Sequence, residues 1–444
     1  MRILRSLMTA VLALTVASVS AQSTETKALK LDDALAASMS NYPLVRQAQA
    51  AVDAARAKEA QATSAYLPRI DGSAAYADLG PQEGMDLDLS KLNPRFPDER
   101  FAMSPSNAWD FHLEAEELVF DFGRREVQVR LARSGIDAAT IGLDQIKTSI
   151  AYKTADIFYS MLFLKREIKV LAEQMSTLEQ HLADAQAREK TGTSTHYDVL
   201  TTQVRIAGLE SERIDARGQL VKQEAALAEL TGLPGDLEPE GDLTPRRIDV
   251  DSVGIVREAS ARRDEIKLAL AGEERSELAA ALAKLGNKPK IAFSAQIGYR
   301  NGILTYDNSD VDKLLFDWKV GLMVDVPIFD GLLTARKSEE AEALLRSDRE
   351  KTEALRERTK TAVLQALEDM RSSHEQVQNS LIEVSRAQEA LDMAKIQYGI
   401  GVFTNLQYLD SQTSLELAKM GELRAAYHEL LCQLAFKEAI GERL

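Results

Sequence analysis

Residues 109–121 read WDFHLEAEELVFD, and residues 318–330 read WKVGLMVDVPIFD. Both stretches begin with tryptophan, and the chain of 444 residues contains only two tryptophans. Both end in Phe-Asp, so one offset of 209 positions aligns them. The same offset aligns Gly192 with Gly401, and Gly232 with Gly441, without a gap. Because such agreement between rare residue types rarely arises by chance, the sequence predicts two copies of one structural unit.

The quoted stretches also alternate between apolar and polar residues, and two further stretches do the same. A period of two predicts a β-strand whose faces have unlike surroundings. Alternation alone fits a membrane strand and equally a soluble sheet with one packed face. The four apolar rows are the alternate residues of 70–76, 109–115, 291–299 and 318–326.

Two features favour a membrane location for these strands. Each run has about 9–11 residues, the length that a tilted membrane strand needs. Aromatic residues stand near the strand ends, as they do at membrane interfaces, and the candidates are Trp109, Trp318, Phe120 and Phe329. Four strands are too few to close a barrel, so we expect three chains to pool twelve strands.

Each copy also contains a very long helical stretch. No proline interrupts residues 124–190, and apolar residues recur at every seventh position from Ile136 to Ala185. The second copy repeats this spacing from Val363 to Tyr398. Such a stripe is typical of a coiled coil, and about 67 helical residues extend on the order of 100 Å. The shorter helices carry similar stripes that we expect to be buried: Leu200, Ala207, Ile214, Val221 and Ala228 in the first copy, and Leu406, Thr413, Met420, Tyr427 and Leu434 in the second.

These patterns divide the chain into a leader, two repeats and a linker. Two arginines, a short apolar run and small residues predict a secretory signal peptide at 1–21. The first repeat, 22–232, is predicted to hold a helix at about 31–65, a β-hairpin at 68–120 with a loop around 80–106, a long helix at 124–190 and a helix at 196–231. Residues 233–252 form a linker, in which three prolines exclude one continuous helix. The second repeat, 253–444, is predicted to hold a helix at about 253–285, a β-hairpin at 289–329, a long helix at 332–398 and a helix at 404–440.

Composition excludes several classes of function. A formal net charge of −15 disfavours nucleic acid as a partner, because that partner needs a basic face. The five histidines are scattered and Cys432 is the only cysteine, so neither a metal site nor an internal disulfide is predicted. No nucleophile–base pairing and no phosphate-cradling glycine loop stands out, so we expect neither an enzyme nor a bound cofactor.

Together these residues resemble the TolC-like outer membrane efflux protein family, over nearly the whole chain from Leu31. The motifs that carry the resemblance are the duplication itself, LPRI at 67–70, VFDFGRR at 119–125, IFDG at 328–331, KTGTSTHYDVLTTQ at 190–203 and YGIGVFTNLQYLDSQ at 398–412.

The resemblance implies a mainly α-helical protein with membrane β-strands. It implies a homotrimer with a twelve-stranded transmembrane β-barrel in the outer membrane and a coiled-coil helical tunnel in the periplasm. The expected partners are outer membrane lipid, a periplasmic adaptor protein and an inner-membrane pump, in an efflux or type I secretion system. The expected role is a passive duct that performs no chemistry.

The resemblance also implies a pore gate at the periplasmic turns. Asp410 falls in the position of a carboxylate ring, while a second acidic position of that helix is Gln407 here. Asp198 and Tyr398 fall where relatives form closed-state contacts, although the arginine that pairs there in some relatives is Phe403. The turns with Gly192, Gly399 and Gly401 are the expected region of adaptor contact.

Each gate residue also has a plainer interpretation. Asp410 also reads as a solvated surface carboxylate, and Asp198 as a first-turn acid favoured by the helix dipole. The glycines also read as residues that simply permit the turns.

A different class of protein, a periplasmic coiled-coil adaptor or scaffold, is the alternative. Such a protein also has long helices, but we expect it to show one hairpin and a compact β-domain.

Overall fold

The structure is a computed structural model, and it describes residues 27–81, 84–87, 99–102, 104–233, 237–245, 252–303 and 310–444. The predicted signal peptide at 1–21 and parts of the linker lie outside these ranges. No helix in the described ranges combines the length and the apolar character that crossing a membrane requires.

The helices and strands follow the duplicated order. The first half contains β1 (Lys27–Leu29), α1 (Leu31–Asn41), α2 (Pro43–Ser64), β2 (Arg69–Asp78), β3 (Gly84–Leu87), β4 (Glu99–Ala102), β5 (Asn107–Phe120), α3 (Arg124–Lys190) and α4 (His196–Thr231). The second contains β6 (Leu237–Pro239), α5 (Ser252–Arg262), α6 (Asp264–Lys284), β7 (Lys290–Arg300), β8 (Leu315–Asp325), α7 (Leu333–Gly399) and α8 (Asn405–Ala439). The long helices therefore span the ranges expected for them to within one residue at each end.

The first helix of each copy is broken into two, which the sequence analysis did not predict. Tyr42 is extended (φ −67°, ψ 130°) and Pro43 starts α2, because proline suits the first helical position but cannot continue a preceding helix. The second break falls at Arg263, which is also extended. These two breaks are 221 positions apart, as are Pro68 and Pro289, so the duplication extends through α1 and α2.

The stretch around 80–106, expected to be a loop, contains a small hairpin. Strands β3 and β4 pair antiparallel there, in register from Gly84–Ala102 to Leu87–Glu99. Strands of four residues lie at the lower limit at which alternation can be recognised, which explains why periodicity did not predict them.

The four longer strands form one antiparallel sheet in the order β2-β5-β7-β8. The register places Ile297 opposite both Leu113 and Trp318, and Tyr76 opposite Trp109. Since directly opposed residues share a face, the four predicted apolar rows line one face of the sheet, which we call the apolar face. The other face carries Asp71, His112, Glu114, Gln296, Arg300, Asp317 and Lys319, and we call it the polar face.

The apolar face is not covered by any other part of the described chain. Trp318 is 65% exposed, Leu322 69% and Ile70 69%. Strands β2 and β8 pair on one side only within the described residues, so each leaves one strand edge open. A soluble sheet with one packed face, the alternative left open by the sequence, does not match this exposure.

The chain divides into two compact units that cut across the repeats. Unit 1 contains Met1–Arg46, Ile146–Ala259 and Thr361–Leu444, and unit 2 contains Gln47–Gln145 and Ser260–Lys360. The four-stranded sheet lies in unit 2. There Arg133 pairs with Glu59 at 3.1 Å, joining α2 to α3, and Lys284 pairs with Glu342 at 2.8 Å, joining α6 to α7.

Unit 1 is built around the long helices and the linker. The predicted heptad row of α3 is buried from Leu143 onward, so the coiled-coil stripe of that helix is confirmed: Leu143, Ile150, Ile157, Leu164, Leu171, Leu178 and Ala185 are each 7% exposed or less. Leu237 and Leu243 of the linker pack on this row beside Phe158. Strand β6 pairs in parallel with β1, which secures the linker to the start of the chain.

The prediction that the apolar stripe of α4 is buried is wrong for the single chain. Leu200 is 46% exposed, Ile214 58% and Val221 62%, and Leu406 of α8 is also 60% exposed. The residues of α4 that are buried are instead Val199, Thr202, Ala216, Leu227, Leu230 and Thr231. A seven-residue spacing identifies an apolar face but not what covers it, and within one chain this face remains open to a partner.

Candidate functional site at the helical turns

The two turns that join the long and short helices have the same construction. In the first, Gly192 has φ 75°, its N–H donates to the Glu189 carbonyl at 3.0 Å, and the Thr193 N–H donates to the Arg188 carbonyl at 2.9 Å. In the second, Gly401 has φ 79°, its N–H donates to the Tyr398 carbonyl at 3.2 Å, and the Val402 N–H donates to the Gln397 carbonyl at 2.9 Å. This is a Schellman motif, and its left-handed residue explains both glycines.

Gly399 does not belong to the turn itself. It is the last residue of α7 and is not among the glycines with positive φ. Of the three predicted turn glycines, therefore, only Gly192 and Gly401 have the backbone conformation that a turn requires.

The short helices that follow both begin with a capping box. The hydroxyl of Thr195 accepts from the Asp198 N–H while the Asp198 carboxylate accepts from the Thr195 N–H at 2.9 Å. Thr404 and Gln407 repeat this arrangement at the start of α8. The Gln407 side-chain amide thus has a structural role equivalent to that of the Asp198 carboxylate.

The Asp198 carboxylate is held by several donors. Burial alone would raise the pKa of Asp198, but hydrogen bonds from the Thr195 N–H and hydroxyl and from the Ser194 hydroxyl outweigh it and leave that pKa below its usual value. The carboxylate is therefore ionised at neutral pH, and the geometry favours the plainer interpretation of a first-turn acid.

Asp410 lies one turn further along α8 and is paired within its own chain. Arg205 of α4 donates from Nη2 to Asp410 Oδ1 at 3.1 Å and also contacts the Thr413 hydroxyl. The Asp410 side chain is nevertheless 61% exposed. A neighbouring carboxyl, that of Glu416, has its pKa raised by burial, against the opposing effect of Arg205.

Tyr398 lies in an aromatic cluster that joins the two helical hairpins. Its ring stacks on that of Tyr408 at 5.3 Å, and the Arg188 guanidinium of α3 lies 4.7 Å from the Tyr398 ring centre. Tyr398 therefore has a cationic partner from the other hairpin.

His181 completes this cluster, and the sequence analysis missed it. The ring is 6% exposed, lies 4.5 Å from the Tyr408 ring, and forms a 2.7 Å hydrogen bond through Nε2 to Oδ1 of Asn405. The Asn405 amide group donates in turn to the Asp198 carbonyl at 3.4 Å. The signal was available in outline, because His181 lies three residues after Leu178 of the heptad row, on the buried side of the helix, where a polar residue needs a partner.

The predicted interface aromatics all lie in unit 2. Trp109 contacts Tyr76 with ring centres 4.5 Å apart, and Tyr299 contacts Phe316 at 5.6 Å, all near the hairpin-loop ends of their strands. Phe120 ends β5 beside Phe122 at 4.8 Å, while Trp318 and Phe329 are 65% and 78% exposed. Side chains of His, Cys, Asp and Glu form no group of three or more suited to a metal ion within the described residues.

Comparisons with known proteins agree in pointing to one family. A family model described as outer membrane efflux protein matches residues 34–233 and 255–442. The pyoverdine export outer membrane protein OpmQ of Pseudomonas putida is 26% identical over 412 residues, covering 88% of this chain and 82% of OpmQ. Outer membrane protein TolC of Escherichia coli is 23% identical over 416 residues, covering 90% of this chain and 79% of TolC.

A solved structure shares the fold. The crystal structure of the Campylobacter jejuni CmeC outer membrane channel matches with a TM-score of 0.76 at 15% identity, over 93% of this chain and 85% of CmeC.

Proposed function

Because the chain belongs to the outer membrane efflux protein family, we infer that it is the outer membrane channel of an efflux or secretion system. Members of this family are channel proteins, and their strands lie in the outer membrane while their helices line a tunnel in the periplasm. The uncovered apolar face of the four-stranded sheet is the observation in this chain that carries the proposal.

The dimensions of the sheet support a membrane location. At about 3.3 Å per residue, the rows of aromatic residues near Trp109 and Phe120 lie roughly 36 Å apart along β5. With strands tilted by about 40°, that separation is about 28 Å along the axis of a barrel, close to the thickness of the hydrocarbon core. We therefore propose that Trp109, Trp318, Phe120 and Phe329 lie at the two membrane interfaces.

We propose that the working form is a homotrimer. The open edges of β2 and β8 could pair between chains, and three chains would then close twelve strands without a free edge. The exposed stripe of α4, with Leu200, Ile214 and Val221, offers a neighbouring chain a second surface of apolar helix. The adaptor or scaffold alternative is disfavoured, because the chain has two long hairpins and four strands of membrane length.

The partners are assigned by the class of system. We propose that a periplasmic adaptor binds the turns near Gly192 and Gly401, and that an inner-membrane pump drives export. The exposed Ile400 and Val402 beside the second turn, at 73% and 65%, are suited to such contact.

At the periplasmic end we propose that Asp410 forms part of the ion-selective constriction. Three copies around one axis would add their potentials, and a narrow bore would concentrate the field. Arg205 at 3.1 Å offsets part of each negative charge, so the ring is weaker than three free carboxylates.

Planar-bilayer recording tests both the channel and this ring. Purified wild-type protein should insert in uniform conductance steps with a preference for cations. Asp410→Asn should lower the ratio of cation to anion permeability several-fold, and Arg205→Gln should raise it, because removing the cation unmasks the carboxylate. Glu353→Gln, which removes an exposed carboxylate paired with Arg356 at 3.2 Å earlier in α7, is the control.

The outcomes separate the two claims. An absence of any conductance in a correctly folded preparation would overturn the channel assignment. Normal conductance with unchanged selectivity in both variants would remove Asp410 from the constriction and leave the channel assignment intact.

A further inference from the structure

The contacts at the turns tie the first helical hairpin, α3 with α4, to the second, α7 with α8. His181 of α3 bonds Asn405 at the start of α8, and Asn405 bonds the Asp198 carbonyl of α4. The Asn405 amide nitrogen donates to the Asp198 carbonyl, so the Asn405 amide oxygen faces His181. Because that oxygen can only accept, the imidazole must donate from Nε2. A neutral His181 with its proton on Nε2 therefore satisfies this bond.

The surroundings of this ring disfavour a second proton, which would make the ring positively charged. The ring is almost fully buried and lies 4.5 Å from the ring of Tyr408 and 5.5 Å from that of Tyr398. The charged groups that face it are Asp184 and Arg188 on its own helix and Asp198 on α4. Burial lowers the pKa of His181 below its usual value, and the charge of Arg188 lowers it further. The Asn405 hydrogen bond and the two carboxylates oppose this shift without cancelling it.

In the channel proposed above, the wall at the turns consists of these hairpins, so the bore there widens only when the hairpins move relative to each other. We propose that His181 is a proton-sensitive latch: the neutral ring ties the first hairpin to the second through Asn405, and the protonated ring releases it. This inference rests on the channel function proposed above.

The direction of the pH effect follows from linkage. In the latched state the pKa of His181 is lowered by burial, whereas in a parted, solvated state it returns to its usual value of about 6.5. Above that value the ring is neutral in both states and contributes no pH dependence. As the pH falls below it, the parted state binds more protons than the latched state and gains population. Once the pH is below the pKa of both states, the ratio of parted to latched protein has risen tenfold for each unit by which burial lowers the pKa.

The test compares wild type with His181→Gln between pH 8 and pH 5. Glutamine can still donate to Asn405 but cannot be protonated, so the latch should remain closed at both pH values. Wild-type channels in planar bilayers should open more often as the pH falls, and the variant should lose that response. His181→Ala, which lacks the donor, should open readily even at pH 8.

A distance measurement gives a readout that does not depend on conduction. With Cys432→Ser as the background, spin labels at Thr193→Cys and Val402→Cys report the separation of the two turns, in protein diluted with unlabelled chains. The distance should increase on acidification in wild type and stay constant in His181→Gln. The matched control is His196→Gln, because His196 is an exposed histidine at the first turn, paired with Glu189 at 2.9 Å.

Three results would overturn the latch: no acid response in wild type, a full response in His181→Gln, or loss of the response in His196→Gln instead. A failure of the proposed function looks different, because it would abolish conductance at every pH while leaving the distance measurement able to test His181.

Discussion

Leu322→Arg should sharply reduce the amount of folded trimer in the outer membrane. Leu322 lies in β8 on the apolar face, near the midpoint between Trp318 and Phe329, and is 69% exposed. An arginine near the bilayer midplane costs about 2–4 kcal/mol in a membrane strand, and each trimer would carry three. Urea titration of folding into phospholipid vesicles should show a loss of stability of that order per chain, and membrane fractions should contain correspondingly less protein.

The control places the same residue on the opposite face. Ser294 lies in the middle of β7 and is opposed by Gly321 and Glu116 on the polar face. Because that face should meet water in the bore, Ser294→Arg should be tolerated with little change in folding. If Ser294→Arg were the costly change and Leu322→Arg the silent one, the assignment of the two faces would be reversed.

Asp121→Ala should be among the most destabilising substitutions outside the strands. Asp121 and Arg125 form an ion pair at 3.2 Å, with side chains only 9% and 10% exposed, where β5 passes into α3. The Arg125 guanidinium also donates to the Ala65 carbonyl at 3.2 Å and lies 4.7 Å from the ring centre of Tyr66. Removing the carboxylate leaves a buried charge without its partner, which typically costs about 3–5 kcal/mol, measurable in the urea midpoint of the purified protein.

The duplication supplies the matched control. At the equivalent position Asp330 caps α7, where its carboxylate accepts from the Thr334 N–H at 2.9 Å, and Thr334 stands at the position that corresponds to Arg125. Asp330→Ala should therefore have a clearly smaller effect. Replacing the whole pair, Asp121→Leu with Arg125→Met, should restore much of the lost stability, because it removes the orphaned charge. A loss equal to that of Asp121→Ala would show that the aspartate matters for some other reason.

Periodicity in the sequence predicted the parts of the fold that periodicity controls. The row from Leu143 to Ala185 was recognisable because burial along the contact face of a coiled-coil helix repeats every seven residues. The faces of the four strands were recognisable because side chains alternate, and the register confirms that the four apolar rows coincide. The duplication added strength, since each weak signal in one copy was supported by the other.

Other features depend on contacts between distant residues, which no local pattern encodes. Helical spacing in α4 marked an apolar stripe but could not say that Ile214 and Val221 stay exposed in the single chain. The pairings of Arg205 with Asp410 and of His181 with Asn405 join residues more than 200 positions apart. Motif comparison located the turns and the acidic positions there, but it could not reveal that the residues bridging the hairpins include a buried histidine.

The central claim is that separate chains pool their strands into one closed wall, and cross-linking β8 of one chain to β2 of the next tests it most directly. In a Cys432→Ser background, Ser73→Cys in β2 is combined in turn with Asp317→Cys, Lys319→Cys or Gly321→Cys in β8, since the register between chains must be scanned. Cysteines at Glu116 and Ser294, which oppose each other across β5 and β7 of one chain, are the control. The account predicts that oxidation in intact membranes converts at least one combination into a covalent trimer on a denaturing gel, while the control stays monomeric. If every β2–β8 combination yields only monomers, the chains do not share their strands and the account fails.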